Sequence, residues 1–281
     1  MNGRICLVTG ATHGIGRASA QALAARGEQV IVHGRELARA QAVAAEIAHA
    51  TGNSAVRAVQ ADFAELAQVR RLAQELNGSL PRLEVLINNA GRMSAGRGLS
   101  ADGYELTFAV NHLAPFLLTN LLLPKLRTSA PARVIVVSSE AHRHARLDFD
   151  DLMNASVSGL LPAYARSKLA NLLFVRALAQ RLAGSGVTVN ALHPGFVASH
   201  LFRDTPAPLR FVIHSALRPF MRSTEQGART SVYLATAPEL LGKSGGYYRN
   251  CHLSSPGQGA QSDADAARLW QESARLTGLA A

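Results

Sequence analysis

Short runs rich in β-branched residues alternate with longer Ala- and Leu-rich stretches along most of this 281-residue chain. Continuous apolar runs such as 134–137 indicate strands that are buried on both faces. The longer stretches repeat their apolar residues at the spacing of amphipathic helices. Right-handed helical crossovers between parallel strands give a doubly wound sheet that binds ligands at the carboxyl ends of its strands. We therefore predict an α/β fold, a Rossmann-type doubly wound parallel sheet of about seven strands with helices on both faces.

The predicted elements lie between residues 5 and 250. The strands are 5–9, 29–33, 55–60, 85–88, 133–138, 187–193 and 246–250, and the helices are 15–26, 36–51, 66–76, 104–126, 164–183 and 225–237. Hydrophobic residues make up 48% and charged residues 17% of the sequence, a balance typical of a buried core. The length suits one domain, so we predict a single domain over 1–281.

One segment, 200–224, departs from this alternation. It carries three prolines and a set of bulky apolar residues between a predicted strand and a predicted helix. Such an apolar insertion is typical of a substrate lid or of an element that seeks another surface. We predict a lid over a bulky, weakly polar substrate.

The net charge of +10 raises the question of an anionic partner. Arginines are scattered along the chain, and the only lysines are Lys125, Lys168 and Lys243. This distribution favours an arginine-rich solvated surface without a nucleic-acid partner. A peripheral membrane or nucleic-acid binder that uses this surface and 200–224 is an alternative.

Cysteine content and the chain start bear on location. Cys6 lies in an apolar run, where we expect a small buried hydrophobe, and Cys251 is the second cysteine. Two cysteines make no disulfide framework, which indicates a reducing compartment. No apolar run reaches the ~18 residues of a spanning helix, and no signal peptide precedes the first strand. We expect a cytoplasmic protein without a membrane span. A homo-oligomer is the one protein assembly that we leave open.

A glycine-rich turn from Thr9 to Gly16 joins the first predicted strand to the first predicted helix. Glycines let the backbone turn sharply and approach a pyrophosphate, while the helix N-terminus supplies N–H groups and partial positive charge. The strand before and the helix after distinguish this pattern from an ordinary tight turn. The predicted phosphate-binding residues are Gly10, Thr12, His13, Gly14, Ile15 and Gly16.

The end of the second predicted strand bears on cofactor choice. An acidic residue there would hold a ribose 2′-hydroxyl and repel a 2′-phosphate. This chain has Arg35, and the first acid is Glu36. A guanidinium can bind a 2′-phosphate through its planar fork, although an exposed arginine that opens a helix is the alternative. We predict NADP(H) as the cofactor in preference to NAD(H).

Four motifs resemble those of the short-chain dehydrogenase/reductase family. They are the Thr-Gly-x-x-x-Gly-x-Gly turn, Asn-Asn-Ala-Gly at 88–91, Ser139 after the fifth strand, and Tyr-x-x-x-Lys from Tyr164 to Lys168. The runs 110–113, 138–142, 167–171, 193–195 and 269–273 are similar to the retinol-dehydrogenase-like branch. The resemblance extends through the whole chain and implies hydride transfer between a nicotinamide cofactor and a carbonyl or alcohol.

The predicted catalytic residues suit that chemistry. A free tyrosine, with a pKa near 10, is a weak acid–base group, and a neighbouring cation favours its phenolate. Tyr164 and Lys168 are four residues apart and share one helix face. Ser139, preferred over Ser138, can donate to a carbonyl oxygen that gains negative charge. A helix cap is the alternative role for this serine.

Asn111 is the fourth predicted catalytic residue. Asparagine is unfavourable within a helix, so a kink that holds a proton-relaying water would explain it, as would a plain buried hydrogen-bonding role. The resemblance further implies that Asp62 contacts adenine, Asn88 the adenine ribose region and Lys168 the nicotinamide ribose, with Val197 and Ser199 beside the nicotinamide amide. Helix capping is the alternative for Asp62 and Ser199.

The stretch 142–163 carries several histidines and arginines, but no cysteine or suitably spaced carboxylate joins them, so we predict a solvated loop and no metal. The function predicted is an NADP(H)-dependent ketone or aldehyde reductase, or alcohol dehydrogenase, with Tyr164 as general acid and base. The alternative is a non-catalytic NADP(H)-binding regulator on the same fold.

Overall fold

Eight strands lie within the residues that the computed structural model describes, 3–94, 98–153, 159–197 and 221–280. They are β1 (Ile5–Val8), β2 (Gln29–Gly34), β3 (Val56–Gln60), β4 (Val85–Asn88), β5 (Ala132–Val137), β6 (Val187–His193), β7 (Tyr247–Arg249) and β8 (His252–Ser254). They form one sheet in the order β3-β2-β1-β4-β5-β6-β7-β8, and only β8 is antiparallel to its neighbour. The predicted Rossmann-type α/β fold is confirmed, with one strand more than expected.

Helices connect these strands. They are α1 (Gly14–Ala24), α2 (Leu37–Thr51), α3 (Leu66–Ser79), α4 (Leu106–Phe108), α5 (Ala114–Thr128), α6 (Leu160–Arg181), α7 (Thr224–Thr236) and α8 (Asp263–Thr277). A π-helix, Ala109–Leu113, joins α4 to α5, and short 3₁₀ helices span Glu140–His144, Pro238–Leu240 and Gln258–Ala260.

Side-chain alternation along β1 shows how the sheet is covered on both faces. Ile5 and Leu7 pack into a core with α3, α5, α6 and α8. Cys6 and Val8 point to the other face and pack with α1, α2 and α7. Cys6 is fully buried, as expected, and burial raises the pKa of its thiol. Since both faces are buried, β1 is apolar throughout.

The order of the strands reverses at β1. The chain adds β2 and β3 on one side of β1 and then returns to add β4 on the other. The carboxyl ends of β1 and β4 therefore flank the crevice in which doubly wound sheets bind their ligands.

Two predicted helices and the C-terminal region differ from expectation. The predicted helix 104–126 is interrupted by the π-helix, and α6 begins at Leu160, before the predicted start at 164. Helix α8 was not predicted, although Ser262 caps its first turn and Gly278 ends it with a left-handed backbone. The predicted lid, 200–224, lies outside the described residues except for its last four positions.

The continuous helical stretch Leu106–Thr128 is long and apolar enough to cross a membrane by composition alone. Of its most apolar window, 72% is buried inside the fold. The core helix of a globular domain has the same properties, so the stretch is weak evidence for a span.

Candidate active site

One cavity of about 790 Å³ opens at the carboxyl ends of the central strands. This volume suits a small-molecule or cofactor site. The predicted residues that line the cavity are Gly10, Thr12, His13, Gly14, Ile15, Gly16, Arg35, Asp62, Ser139, Tyr164, Lys168 and Val197. Asn88 and Asn111 are buried and do not line it, and Ser199 lies outside the described residues.

Close backbone contacts shape the glycine turn after β1. Gly10 has a φ of +63°, and a Cβ there would lie 2.8 Å from the Cα of Ala90. A Cβ on Gly16 would collide with the side-chain amide of Asn89. Helix α1 begins at Gly14, and within the described part of the chain no side chain caps it and no acid lies in its first turn. Its first N–H groups can therefore hold phosphate oxygens.

Asn89, rather than Asn88, holds the glycine turn from the β4 side. The side-chain amide of Asn89 donates to the carbonyls of Thr9 (2.8 Å) and Gly10 (3.2 Å), and Asn89 lines the cavity. The Asn88 amide points into the interior and donates to Thr119 (2.9 Å). The end of β4 thus turns the Asn88 side chain away from the cavity, and the contact of Asn88 with the adenine ribose region stays a prediction.

Two arginines border the cavity at the end of β2. Arg35 is exposed, and its guanidinium lies 3.7 Å from the carboxylate of Glu36. Arg39 lies in the first turn of α2 and also lines the cavity. Asp62 borders the same region, and its carboxylate accepts the N–H of Ala64 (2.9 Å). Asp62 thus stabilises the turn before α3 while it faces the cavity, and its contact with adenine stays a prediction.

Ser139, Tyr164 and Lys168 meet at the opposite end of the cavity. Ser139 interacts with the Tyr164 hydroxyl and lowers its pKa. The Nζ of Lys168 lies 5.5 Å from the centre of the Tyr164 ring and donates to the Val137 carbonyl (2.9 Å). Ser138 instead donates to the Lys168 carbonyl (2.8 Å). The preference for Ser139 over Ser138 therefore agrees with the geometry.

Burial is the largest cause of the pKa shifts of Tyr164 and Lys168. It raises the pKa of Tyr164 to about 12, and the hydrogen bond with Ser139 lowers that pKa only in part. Burial also lowers the pKa of Lys168 to about 8. The expectation of a tyrosine pKa below its usual value is not met, because desolvation disfavours both charged forms.

Asn111 lies in the π-helix and is fully buried. Its side chain accepts the N–H of Arg92 (2.8 Å) and donates to the Arg92 carbonyl (2.9 Å) and to Ser167 (2.9 Å). A Cβ on Gly91 would lie 3.4 Å from Asn111 Oδ1 and 3.5 Å from Lys168 Nζ. Asn111 thus has the buried hydrogen-bonding role beside Lys168, within a π-helix that interrupts the predicted helix. A proton relay through it stays a prediction.

The predicted solvated loop 142–163 departs from expectation at His142, whereas Arg143, His144 and Arg146 are exposed as expected. His142 is only 2% exposed, its Nδ1 donates to the Ser139 carbonyl (2.5 Å), and its Nε2 accepts the N–H of Gly257 (2.8 Å). These two hydrogen bonds tie Ser139 to the C-terminal region. Among the residues that the structure describes, no group of three or more His, Cys, Asp or Glu could hold a metal ion.

Comparison with known proteins agrees with this geometry. A family model described as short chain dehydrogenase matches residues 4–209. Dehydrogenase/reductase SDR family member 13 of Bos taurus is 45% identical over 99% of this chain and 74% of its own length. The chain belongs to the short-chain dehydrogenase family. Retinol dehydrogenase 13 of Homo sapiens is 43% identical over 99% of this chain and 86% of its own length, so this family member is retinol-dehydrogenase-like.

Solved structures share this fold. An uncharacterised protein from Mycobacterium paratuberculosis superposes with a TM-score of 0.80 at 33% identity and covers 98% of this chain and 94% of its own. The Pseudomonas aeruginosa RhlG/NADP active-site complex has a TM-score of 0.71 at 29% identity and covers 92% of this chain and 96% of its own. This short-chain dehydrogenase is therefore an oxidoreductase that acts on CH–OH groups with NAD(P).

The donor set of this short-chain dehydrogenase fits such a cofactor. A side chain at Gly10 or Gly16 would collide with neighbouring residues, so the turn stays open to a pyrophosphate. The N-terminus of α1 has free N–H groups, and Arg35 lines the cavity at the end of β2. The cavity-lining residues that were not predicted include three with polar side chains of use to a cofactor site: His33, Arg39 and Asn89. The place of Arg39 in the first turn of α2, directly after the strand that ends near Arg35, could have indicated the second arginine.

Proposed function

We propose that this short-chain dehydrogenase interconverts a bulky apolar alcohol and its carbonyl compound with NADP(H), and that Tyr164 transfers the proton. The observation that supports this most directly is one cavity with Ser139, Tyr164 and Lys168 at one end and Arg35 at the other. A non-catalytic binding protein would have no need for this assembled trio.

Each side chain of the trio has a distinct role in the proposed reduction. Ser139 donates a hydrogen bond to the substrate oxygen as negative charge develops there. Tyr164 then gives its proton to that oxygen, and in the reverse direction accepts it. Lys168 stabilises the phenolate that remains, since a nearby cation favours the charged form. The bound nicotinamide would supply or accept the hydride.

The proposed preference for NADP(H) rests on Arg35, with Arg39 beside it. Both guanidinium groups border the cavity where the 2′-substituent of the adenine ribose would lie in a dinucleotide fold. Planar guanidinium groups can bind phosphate in a bidentate manner. RhlG was solved with NADP, which is consistent with this preference.

The proposed substrate class rests on the apolar wall near Tyr164. Met93, Leu161 and Phe196 line the cavity, and Leu161 and Phe196 keep 62% and 41% of their surface exposed. Exposed apolar groups beside a catalytic tyrosine favour an apolar substrate. The relatives named retinol dehydrogenases make retinaldehyde the first compound to test. A lid at 200–224, a cytoplasmic location and a homo-oligomer stay proposals drawn from the sequence.

The test is a cofactor-oxidation assay of the purified chain. All-trans-retinaldehyde, a steroid ketone and a small hydrophilic aldehyde are supplied in turn with NADPH and with NADH. We expect kcat/KM to be highest for the large apolar carbonyls with NADPH. The Tyr164→Phe variant serves as the blank for non-enzymatic oxidation. Turnover of the small aldehyde alone, or equal kcat/KM with both cofactors, would refute the proposal.

A further inference from the structure

His33 is a second buried group that touches the cofactor cavity and takes no part in the proposed proton transfer. It lies at the end of β2, is only 3% exposed and lines the cavity. Its ring stacks on Phe63, with centroids 4.5 Å apart, and Phe63 lines the cavity too. A buried histidine beside a binding cavity calls for an account of its hydrogen bonds.

The two ring nitrogens of His33 join two separate loops. Nδ1 accepts the N–H of Gly10 (3.1 Å), and Nε2 lies 3.1 Å from the carbonyl of Ala61. A backbone N–H can only donate and a carbonyl can only accept, so Nδ1 is bare and Nε2 carries the hydrogen. Burial lowers the pKa of His33 to about 4, which keeps the ring in this neutral form near neutral pH.

The backbone of the same residue holds the turn as well. The carbonyl of His33 accepts the N–H of Ala11 (2.9 Å), next to the bond between its ring and Gly10. Asn89 binds the Gly10 carbonyl from the opposite side. The first residues of the glycine turn are thus fixed from both β2 and β4.

We propose that His33 is a positioning residue for the cofactor, which holds the glycine turn against the adenine-side wall at Ala61 and Phe63 in the shape that accepts the dinucleotide. The proposal rests on the NAD(P)-dependent function. His33 acts through Gly10 on the part of the cofactor that NADP(H) and NAD(H) share. Its loss should therefore weaken both cofactors by the same factor, whereas loss of Arg35 should weaken NADP(H) alone.

Substitutions at His33 can separate its two bonds. His33→Leu keeps apolar volume and removes both. His33→Asn keeps an acceptor at the place of Nδ1 for Gly10, and His33→Gln keeps a donor near the place of Nε2 for Ala61. Since the proposal assigns the effect to Gly10, Asn should restore binding and Gln should not.

The measurement is equilibrium binding of NADPH and of NADH, followed by the fluorescence of the reduced nicotinamide, with Tm recorded for each unliganded variant. For His33→Leu we expect both Kd values to rise roughly tenfold, as loss of one buried hydrogen bond allows. For His33→Asn we expect Kd values within about threefold of those of the unmodified protein, clearly below the tenfold rise expected for His33→Leu.

Asn190 supplies a matched control. Its buried amide likewise accepts one backbone N–H, from Gly246 (2.8 Å), and donates to one carbonyl, of Lys243 (2.8 Å), and it does not line the cavity. Asn190→Leu should lower Tm and leave both Kd values unchanged.

Three results would overturn the proposal: unchanged Kd values in His33→Leu, an equal loss of affinity in Asn190→Leu, or a loss in His33→Leu confined to NADPH. If His33→Leu does not fold, a Gln variant that binds as tightly as the Asn variant overturns it. Failure of the unmodified protein to bind either cofactor would instead refute the underlying function.

Discussion

The two ends of the parallel sheet use their polar groups in different ways. At the amino end, Arg4 is paired with Glu28, and Arg82 lies 2.9 Å from Glu84. Glu84 also accepts the N–H of Ile5 (2.8 Å), at the start of β1. These charges are matched and bound to backbone, so they serve the stability of the fold.

At the carboxyl end the polar groups face a cavity. Lys168 has no carboxylate partner among the described residues and donates instead to the Val137 carbonyl. Tyr164 contacts Ser139 and has the Nζ of Lys168 5.5 Å from its ring centre, and Arg35 is exposed. The comparison indicates that substitutions at the amino end should change stability, while substitutions at the carboxyl end should change binding and turnover.

The largest expected effect is that of Tyr164→Phe. The substitution keeps the ring and its packing but removes the proposed proton donor. We expect kcat to fall by ~10²-fold or more, within the range of general acid catalysis, with Tm and NADPH affinity nearly unchanged. The measurements are steady-state kinetics on a verified substrate and thermal unfolding.

Tyr104→Phe is the control for this substitution. The Tyr104 hydroxyl donates to the Leu276 carbonyl (2.8 Å), and Tyr104 does not line the cavity. This variant should lose about 1 kcal/mol of stability and keep its kcat. Near-normal turnover of Tyr164→Phe would show that the proposed mechanism is wrong.

A substitution at the amino end of the sheet should lower stability and leave cofactor binding unchanged. Glu84→Ala leaves the buried N–H of Ile5 without an acceptor and Arg82 without its partner. We expect the free energy of unfolding to fall by about 2 kcal/mol, while the Kd for NADPH stays the same. Chemical denaturation and NADPH titration measure the two quantities.

Glu46 provides the exposed counterpart, since its ion pair with Arg17 (2.7 Å) lies on the surface. Glu46→Ala should cost at most about 0.5 kcal/mol, because surface ion pairs are solvated and screened. If Glu84→Ala weakens NADPH binding without a change in stability, the distinction between the two ends of the sheet fails.

Arg35→Ala should have a smaller effect than either Tyr164→Phe or Glu84→Ala. Without this guanidinium, the Kd for NADPH should rise roughly tenfold while that for NADH stays constant, because only NADPH carries the 2′-phosphate. Arg57→Ala, at an exposed arginine of β3 outside the cavity, controls for the loss of one positive charge. An equal change in both variants would assign the effect to net charge.

Local patterns predicted much of the site. The glycine turn, the Tyr164–Lys168 spacing and Arg35 at the end of a strand are short-range features, and all of them line the cavity. They could be found because each depends on residues within one turn or on one strand–helix junction. The resemblance to a known family supplied the rest of the catalytic set.

Neighbouring residues with equal chemistry could not be separated in this way. Asn88 and Asn89 are adjacent and identical, yet only packing against Thr119 and the glycine turn decides which one faces the cavity. The histidine at 142 looked solvated because its partner, Gly257, is 115 residues away.

The sequence by itself determined the doubly wound sheet, the phosphate-binding turn and the tyrosine–lysine pair, because periodicity and backbone conformation are local properties of the chain. Only the tertiary structure decided the π-helix at Asn111, the burial that shifts the pKa of Tyr164 upward, and the link from His33 to Gly10 and Ala61. Desolvation and long-range hydrogen bonds depend on which segments meet in space, and that is settled only when the whole sheet has formed.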